Sequence, residues 1–313
     1  MTAAHPRRFR FGVEMMEPFA SMTWADSARK LEQLGYSTLF VPDHFHEGFG
    51  PITAMATAAV ATTELIVAPM VLACDFRHPA VLARELASID VLSSGRLEVG
   101  LGAGYNPLDY RRSGITHDPP GVRVARLIEH TQVLRALFGD EPVNFAGEHY
   151  RITDLDGTPK PFRPGGPPLI IAGGGKRLLG FAAQHADIIG VNPSLPGAPD
   201  ASTAADALGA AMDRKFELIR QAAGERFDHL EFSAWTSVAA ITDDMAELRD
   251  RLSARFGVTP DEALESPIVL AGSVGEVVDQ LHRRRDRWGY SYIVLQSDQA
   301  HAFAPVVDQL TGH

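Results

Sequence analysis

The sequence contains one cysteine, Cys74. A lone thiol cannot close an internal disulfide, and it cannot supply a zinc cluster. Lysine is nearly as scarce. Of 29 Lys and Arg residues, only Lys30, Lys160, Lys176 and Lys215 are lysines. No stretch approaches the roughly 18 uninterrupted apolar residues of a membrane span. The opening MTAAHPRRFRFGVEM has arginines but no apolar run before a small-residue cleavage site, so no secretory signal is expected and the cytoplasm is the expected compartment. Excess positive charge is also missing. The formal charge is -10 and the basic residues are scattered, which argues against nucleic acid and against an anionic membrane as partners. The rest is ordinary globular composition, 45% hydrophobic and 22% charged over 313 residues, enough for one large domain or two smaller ones.

A short apolar run followed by an amphipathic stretch recurs along the first hundred residues. Phe9 to Glu14 reads as a strand. The segment from Thr23 has Ala28, Leu31 and Leu34 at helical spacing and stops at Gly35. Thr38 to Val41 is a second strand, Ile52 to Thr63 a helix, Leu65 to Leu72 a third strand, Pro79 to Leu92 a helix and Leu97 to Leu101 a fourth strand. Strands alternating with helices imply parallel βαβ units. The first strand leads into EMMEPFAS, which lacks the Gly-rich turn of an open dinucleotide-binding sheet. The rhythm continues with a helix at Val122 to Leu137, strands at Pro168 to Ala172, Asp187 to Val191 and Leu230 to Ile241, helices at Met212 to Ala223 and Gly275 to Trp288, and an eighth strand at Ser291 to Leu295. The expected fold is α/β, a (β/α)8 TIM barrel with insertions in the βα loops, in a single domain over 1–313. Residues 139–166 read as an excursion from the barrel whose aromatics Phe145, Tyr150 and Phe162 need burial. The Ala-rich stretch 193–211 reads as a mobile loop.

In such a barrel the active site lies at the C-terminal ends of the strands. That rule selects Glu14 after the first strand, Asp43, His44 and His46 after the second, and Cys74, Asp75, Arg77 and His78 after the third. It selects Tyr105 and Asn106 after the fourth, Gly173 to Arg177 after the fifth and Asn192 after the sixth. His44 with its neighbour Asp43 could act as acid, base or metal ligand. Successive residues of an extended chain point to opposite sides, so the two need not touch, and another group would then set the histidine tautomer. A metal set would combine Asp43, His44, His46 and His78, but the first strand lacks the HxH of barrel metallohydrolases, so no metal is expected. Gly173-Gly174-Gly175 before a helix allows backbone to approach an anion, and Lys176 and Arg177 add charge there. Gly102-Ala103-Gly104 is a weaker version of the same signal. Cys74 reads as a small buried hydrophobe.

Three stretches carry a family resemblance: FVPDHF at the second strand, MVLACDFRHPAVLARELASIDVLSSGRLEVGLGAGYN across the third and fourth, and PPLIIAGGGKRLLGFAAQHADIIGVNP across the fifth and sixth. Together they resemble the luciferase-like monooxygenase family, and within it the actinobacterial branch that uses the deazaflavin coenzyme F420. The resemblance covers residues 8–195 and, less closely, 266–296. It implies a flavin-type ring over the strand ends with its phosphate tail at Gly173, Gly174, Gly175 and Lys176. It also implies a proton-handling role for His44, next to Asp43, and a non-prolyl cis bond at Met70-Val71 behind the ring; Tyr105 is the alternative proton handler. Met70, Val71, Ala73, Gly104 and Asn106 are then cofactor-binding positions. In the family's sugar-phosphate dehydrogenases a Glu follows the glycine of the fourth-strand motif, and here that place is Tyr105. Relatives often pack as homodimers through helices near the second and third strands.

The expected activity is therefore F420-dependent hydride transfer to or from a small organic substrate. The alternative is an FMN-dependent two-component monooxygenase. From other classes come a flavin-binding barrel without turnover and a metal-dependent hydrolase.

Overall fold

A computed structural model describes residues 7–45, 48–194 and 201–313. His46 and positions 195–200 of the stretch read as a loop lie outside the described residues. In chain order the strands are β1 (Arg10–Glu14), β2 (Thr38–Val41), β3 (Ile66–Pro69), β4 (Leu72–Ala73), β5 (Val99–Gly102), β6 (Val143–Ala146), β7 (Arg151–Leu155), β8 (Leu169–Gly173), β9 (Ile188–Val191), β10 (Glu231–Trp235), β11 (Val238–Ile241), β12 (Val269–Gly272) and β13 (Tyr290–Gln296). The helices are α1 (Trp24–Gln33), α2 (Pro51–Ala61), α3 (Pro79–Leu92), α4 (Pro107–Ser113), α5 (Pro120–Phe138), α6 (Lys176–His185), α7 (Ala201–Asp206), α8 (Gly209–Ala223), α9 (Ala246–Phe256), α10 (Pro260–Leu264), α11 (Val274–Trp288) and α12 (Ala304–Leu310). Among the described residues no helix is long and apolar enough to cross a membrane.

Nine strands form one sheet in the order β3-β2-β1-β13-β10-β9-β8-β5-β4. Its pairs run parallel, as in β1 against β13 and β5 against β8. β3 and β4 are two pieces of the expected third strand, interrupted at Met70-Val71, whose peptide bond is cis as expected. Counted as one, they leave eight strands in the order of a (β/α)8 barrel. The short strands β2, β5 and β9 are buried at every position, which is why, Thr38 apart, their residues are apolar or glycine rather than alternating.

Contacts divide the chain into two compact units. One comprises the chain up to Glu14, Gln33–Ser37 and Ala172–His313, and the other comprises Met15–Glu32 and Thr38–Ile171. In the latter, Leu39, Phe40, Val67, Leu72 and Leu101 are fully buried. Helix α3 starts with Pro79 in its first turn and His78 as N-cap, whose Nδ1 accepts the Ala80 N–H at 3.2 Å. Strands β6 and β7 pair antiparallel as a hairpin within the expected excursion. Its aromatics are not all covered, since Phe162 is 58% exposed, and the expectation of burial fails there.

In the other unit Phe11, Val13, Ile189, Phe232 and Val294 are buried. Helix α11 opens with a capping box of Ser273 and Glu276 and closes at Gly289 with φ +80°. Two expectations are corrected here. The strand expected over Leu230–Ile241 is two, β10 in the main sheet and β11 paired with β12 in a sheet of their own, because Thr236 and Ser237 turn the chain between them. The stretch read as a loop carries α7 at 201–206, and α8 already starts at Gly209, in keeping with the helix preference of its alanines. Ala207, Leu248, Leu252, Phe256, Ala263, Ile268, Val269 and Ala271 form a second apolar core around α9, α10 and β12.

Candidate active site

Asp43 and His44 leave the C-terminal end of β2 side by side and go to different partners. Asp43 accepts the Ala73 N–H at 3.1 Å and takes both guanidinium nitrogens of Arg77, at 2.7 and 3.0 Å. It ties the end of β2 to the loop after β4. His44 turns the other way. Its Nδ1 lies 2.7 Å from Asp109 Oδ2, and Asp109 Oδ1 accepts the Phe45 N–H at 3.1 Å. A carboxylate can only accept, so Nδ1 carries the proton. The Asp109 side chain is 4% exposed and that of His44 20%. The Tyr105 ring stands edge-on to the imidazole, centroids 5.9 Å apart, and Tyr105 is 45% exposed.

Tyr105 stands on a strongly braced turn. Arg123, buried, donates to the carbonyls of Ala103 and Gly104 and to that of Asp118. Gly104 has φ +70°, and a Cβ there would fall 1.8 Å from the Tyr110 hydroxyl, so only glycine fits. That hydroxyl donates to Asp75 Oδ2 at 2.8 Å, while Asp75 Oδ1 pairs with Arg126 at 2.5 Å and Arg126 reaches Asp118 as well. Asn106 caps α4 by accepting the Leu108 N–H at 3.1 Å. Val71 lies against β5, where a Cβ at Gly102 would meet its Cγ2 at 2.6 Å.

Two further histidines are structural. His78 caps α3, and His130 is fully buried, with Nε2 3.3 Å from the Arg77 carbonyl. Burial pushes the His130 pKa down to about 4. Cys74 is buried as expected, and burial, with Asp75 beside it, pushes its thiol well up, which keeps it protonated and unreactive.

In the other unit the three glycines after β8 play three different parts, none with positive φ. A Cβ at Gly173 would strike the Leu178 side chain at 2.3 Å. One at Gly174 would strike the backbone, 2.4 Å from the Asn192 carbonyl oxygen and 2.5 Å from the Ser194 nitrogen. One at Gly175 would meet nothing within 4 Å. The fold therefore explains the first two glycines and not the third. Gly175 is the N-cap of α6 with no side-chain cap, and Lys176 and Arg177 follow it exposed. Lys215, buried on α8, donates to the Asn192 carbonyl at 2.9 Å and to Asp206 Oδ2 at 2.6 Å, and that oxygen also accepts the Ser194 N–H at 2.6 Å. Burial lowers the Lys215 pKa, against the pull of Asp206. Glu14 accepts from Trp235 Nε1 and Gln296 Nε2, both at 2.7 Å.

Sequence reasoning missed Asp109, Arg123 and Arg126. The only signal for Asp109 is its place three residues after Asn106, in the first turn of α4, which reads as helix-start chemistry rather than as a partner for a residue 65 positions earlier.

Residues 17–291 match the family described as luciferase-like monooxygenase, and the chain belongs to that family. It is an oxidoreductase by class. Across 91% of its length it is 26% identical to F420-dependent glucose-6-phosphate dehydrogenase of Intrasporangium calvum, 92% of which is covered. Over 54% of its length it is 33% identical to 4-hydroxyprotoasukamycin monooxygenase of Streptomyces nodosus subsp. asukaensis, covering 48% of that protein. The fold matches the coenzyme F420-dependent tetrahydromethanopterin reductase of Methanopyrus kandleri with a TM-score of 0.74 over 97% of this chain and 99% of that one, at 18% identity.

Proposed function

We propose that the protein is a coenzyme F420-dependent oxidoreductase acting on a small organic substrate. What carries the choice of coenzyme is the extent of likeness. The relative named for F420 is matched across 91% of this chain, the monooxygenase across 54%. The second reading, an FMN-dependent monooxygenase, draws its support from that shorter but closer match.

The residues present fit a phosphate-bearing cofactor of this kind. Gly175 leaves open room that the fold does not need, and the N–H groups opening α6 have no side-chain cap. Gly173, Gly174, Gly175 and Lys176 would hold the phosphate. F420, when bound, supplies or takes a hydride at its deazaflavin ring.

The chain's part is the proton. A neutral imidazole with its proton on Nδ1 is a base at Nε2, so His44 takes the hydroxyl proton when an alcohol is oxidised and returns it when the carbonyl is reduced. Tyr105 occupies the place of a carboxylic acid in the sugar-phosphate dehydrogenases, and this supports a substrate other than a sugar phosphate.

The test is titration of the coenzyme-free protein with F420 and with FMN, followed by coenzyme fluorescence, then re-oxidation of reduced F420 with a panel of small ketones and aldehydes. Tighter binding of F420, with turnover lost about 10²–10⁴-fold in His44→Ala at little cost in coenzyme affinity, is expected. Preference for FMN would favour the second reading.

A further inference from the structure

We propose that Asp109 is the positioning residue for His44. It fixes the imidazole by Nδ1 and selects the Nδ1–H tautomer, which leaves the basic lone pair on Nε2. This rests on the reading of His44 as the proton-handling group.

Asp43, the carboxylate adjacent in sequence, is engaged by Arg77 and the Ala73 N–H. Asp109 grips the segment at two points, the ring through Oδ2 at 2.7 Å and the Phe45 N–H through Oδ1 at 3.1 Å. A single contact would leave the ring free to swing, whereas two fix both the backbone and the imidazole against one carboxylate. The carboxylate is itself held rigidly. Pro107 and the Asn106 cap set the start of α4, and the Asp109 N–H bonds back to the Asn106 carbonyl at 3.1 Å. The next residue, Tyr110, is buried and anchored through its hydroxyl to Asp75. A carboxylate in the first turn of a helix is also favourably placed with respect to the helix dipole.

Asparagine is nearly the same shape but offers an N–H as well as an oxygen. In Asp109→Asn the amide can donate to Nδ1 and place the ring proton on Nε2, the wrong tautomer for a base. The experiment compares the protein, Asp109→Asn and Asp109→Glu, labelled with ¹⁵N-histidine and free of coenzyme, with His44 assigned by its loss in His44→Gln. Ring nitrogen shifts report the tautomer, and re-oxidation of reduced F420 by the fastest carbonyl compound of the panel reports turnover. The expected result is the Nδ1–H form in the unaltered protein and a shift toward Nε2–H in Asp109→Asn. Turnover there should fall by about 10²-fold or more, with coenzyme affinity changed less than about threefold and partial recovery in Asp109→Glu. An unchanged tautomer in Asp109→Asn overturns the assignment to Asp109 and leaves the role of His44 standing. A changed tautomer with unchanged turnover overturns the proton-handling role of His44 and the positioning role with it.

Discussion

Arg77 holds both carboxylate oxygens of Asp43, 2.7 and 3.0 Å from its two terminal nitrogens, and one of those oxygens also takes the Ala73 N–H. The most suggestive dipeptide of the sequence, Asp43-His44, is thus divided between two networks, one anchoring the strand ends and the other holding the imidazole.

Removing the anchor strands a guanidinium and an amide together. Asp43→Ala is expected to destabilise the fold by about 1–2 kcal/mol, since it leaves a half-buried guanidinium unpaired and the Ala73 N–H orphaned. Asp43→Asn, which keeps an acceptor for the amide, should lose less. Urea unfolding of the two variants checks the order. Equal loss in both would show that the Ala73 contact contributes nothing.

The glycine turn gives a paired prediction. Gly174→Ala drives a Cβ into the backbone of Asn192 and Ser194 and should lower stability whether or not a ligand is present. Gly175→Ala meets open space at φ -79°, ψ 142°, a conformation that alanine adopts freely, but alanine is a poorer N-cap than glycine, so the two effects offset and stability should change by less than about 1 kcal/mol. If Gly175 is kept for close approach of a phosphate, the same variant should bind F420 about tenfold more weakly, roughly 1.4 kcal/mol. Thermal unfolding and coenzyme titration on both proteins separate the two roles, and unaltered affinity in Gly175→Ala would remove this loop from the binding site.

Acid should act through His130. Its pKa is pushed down to about 4 from an ordinary 6.5, so the unfolded chain takes up a proton at a pH where the folded one does not. Stability is therefore intact above about pH 6.5 and falls as the pH drops toward 4, by about 3 kcal/mol in all. Unfolding measured across that window should show a shallower decline in His130→Gln, and identical slopes would remove His130 as the cause.

The barrel was legible because parallel strands covered on both sides must be apolar at consecutive positions, and LFV within β2 and IIGV at β9 are. The same feature concealed a boundary. EFSAW and VAAI look like one apolar run, and nothing local shows that Thr236 and Ser237 send them to different sheets. At the candidate site, position along the strands singled out His44, and the alternation of an extended chain separated it from Asp43. The actual partner could not be found that way. Asp109 reaches His44 only through the packing of α4 beside the loop after β2, a tertiary event with no local signature. Likewise, three consecutive glycines suggested a ligand, although two of them are required by Leu178 and by the backbone at 192–194.

The small lobe of β11, β12, α9 and α10 has a consequence of its own. The chain leaves the main sheet at Thr236, whose N–H bonds to the Val294 carbonyl at 2.9 Å, and comes back into α11 at Ser273. In between it supplies most of an apolar cluster that Ala207, just before α8, completes. The segment is tied to the rest through Ser266 on the Ala207 carbonyl and through Arg284 and Gln280 of α11 on the carbonyls of Leu264, Val269 and Ala271, so α9, which has none of these bonds, is the part placed to open while the main strands stay paired. In native-state hydrogen exchange the amides of α9 should form a separate cohort, exchanging at lower free energy than those of β10 and β13. Insertions or a fluorescent label near Gly257 should be tolerated with the register of the main sheet undisturbed.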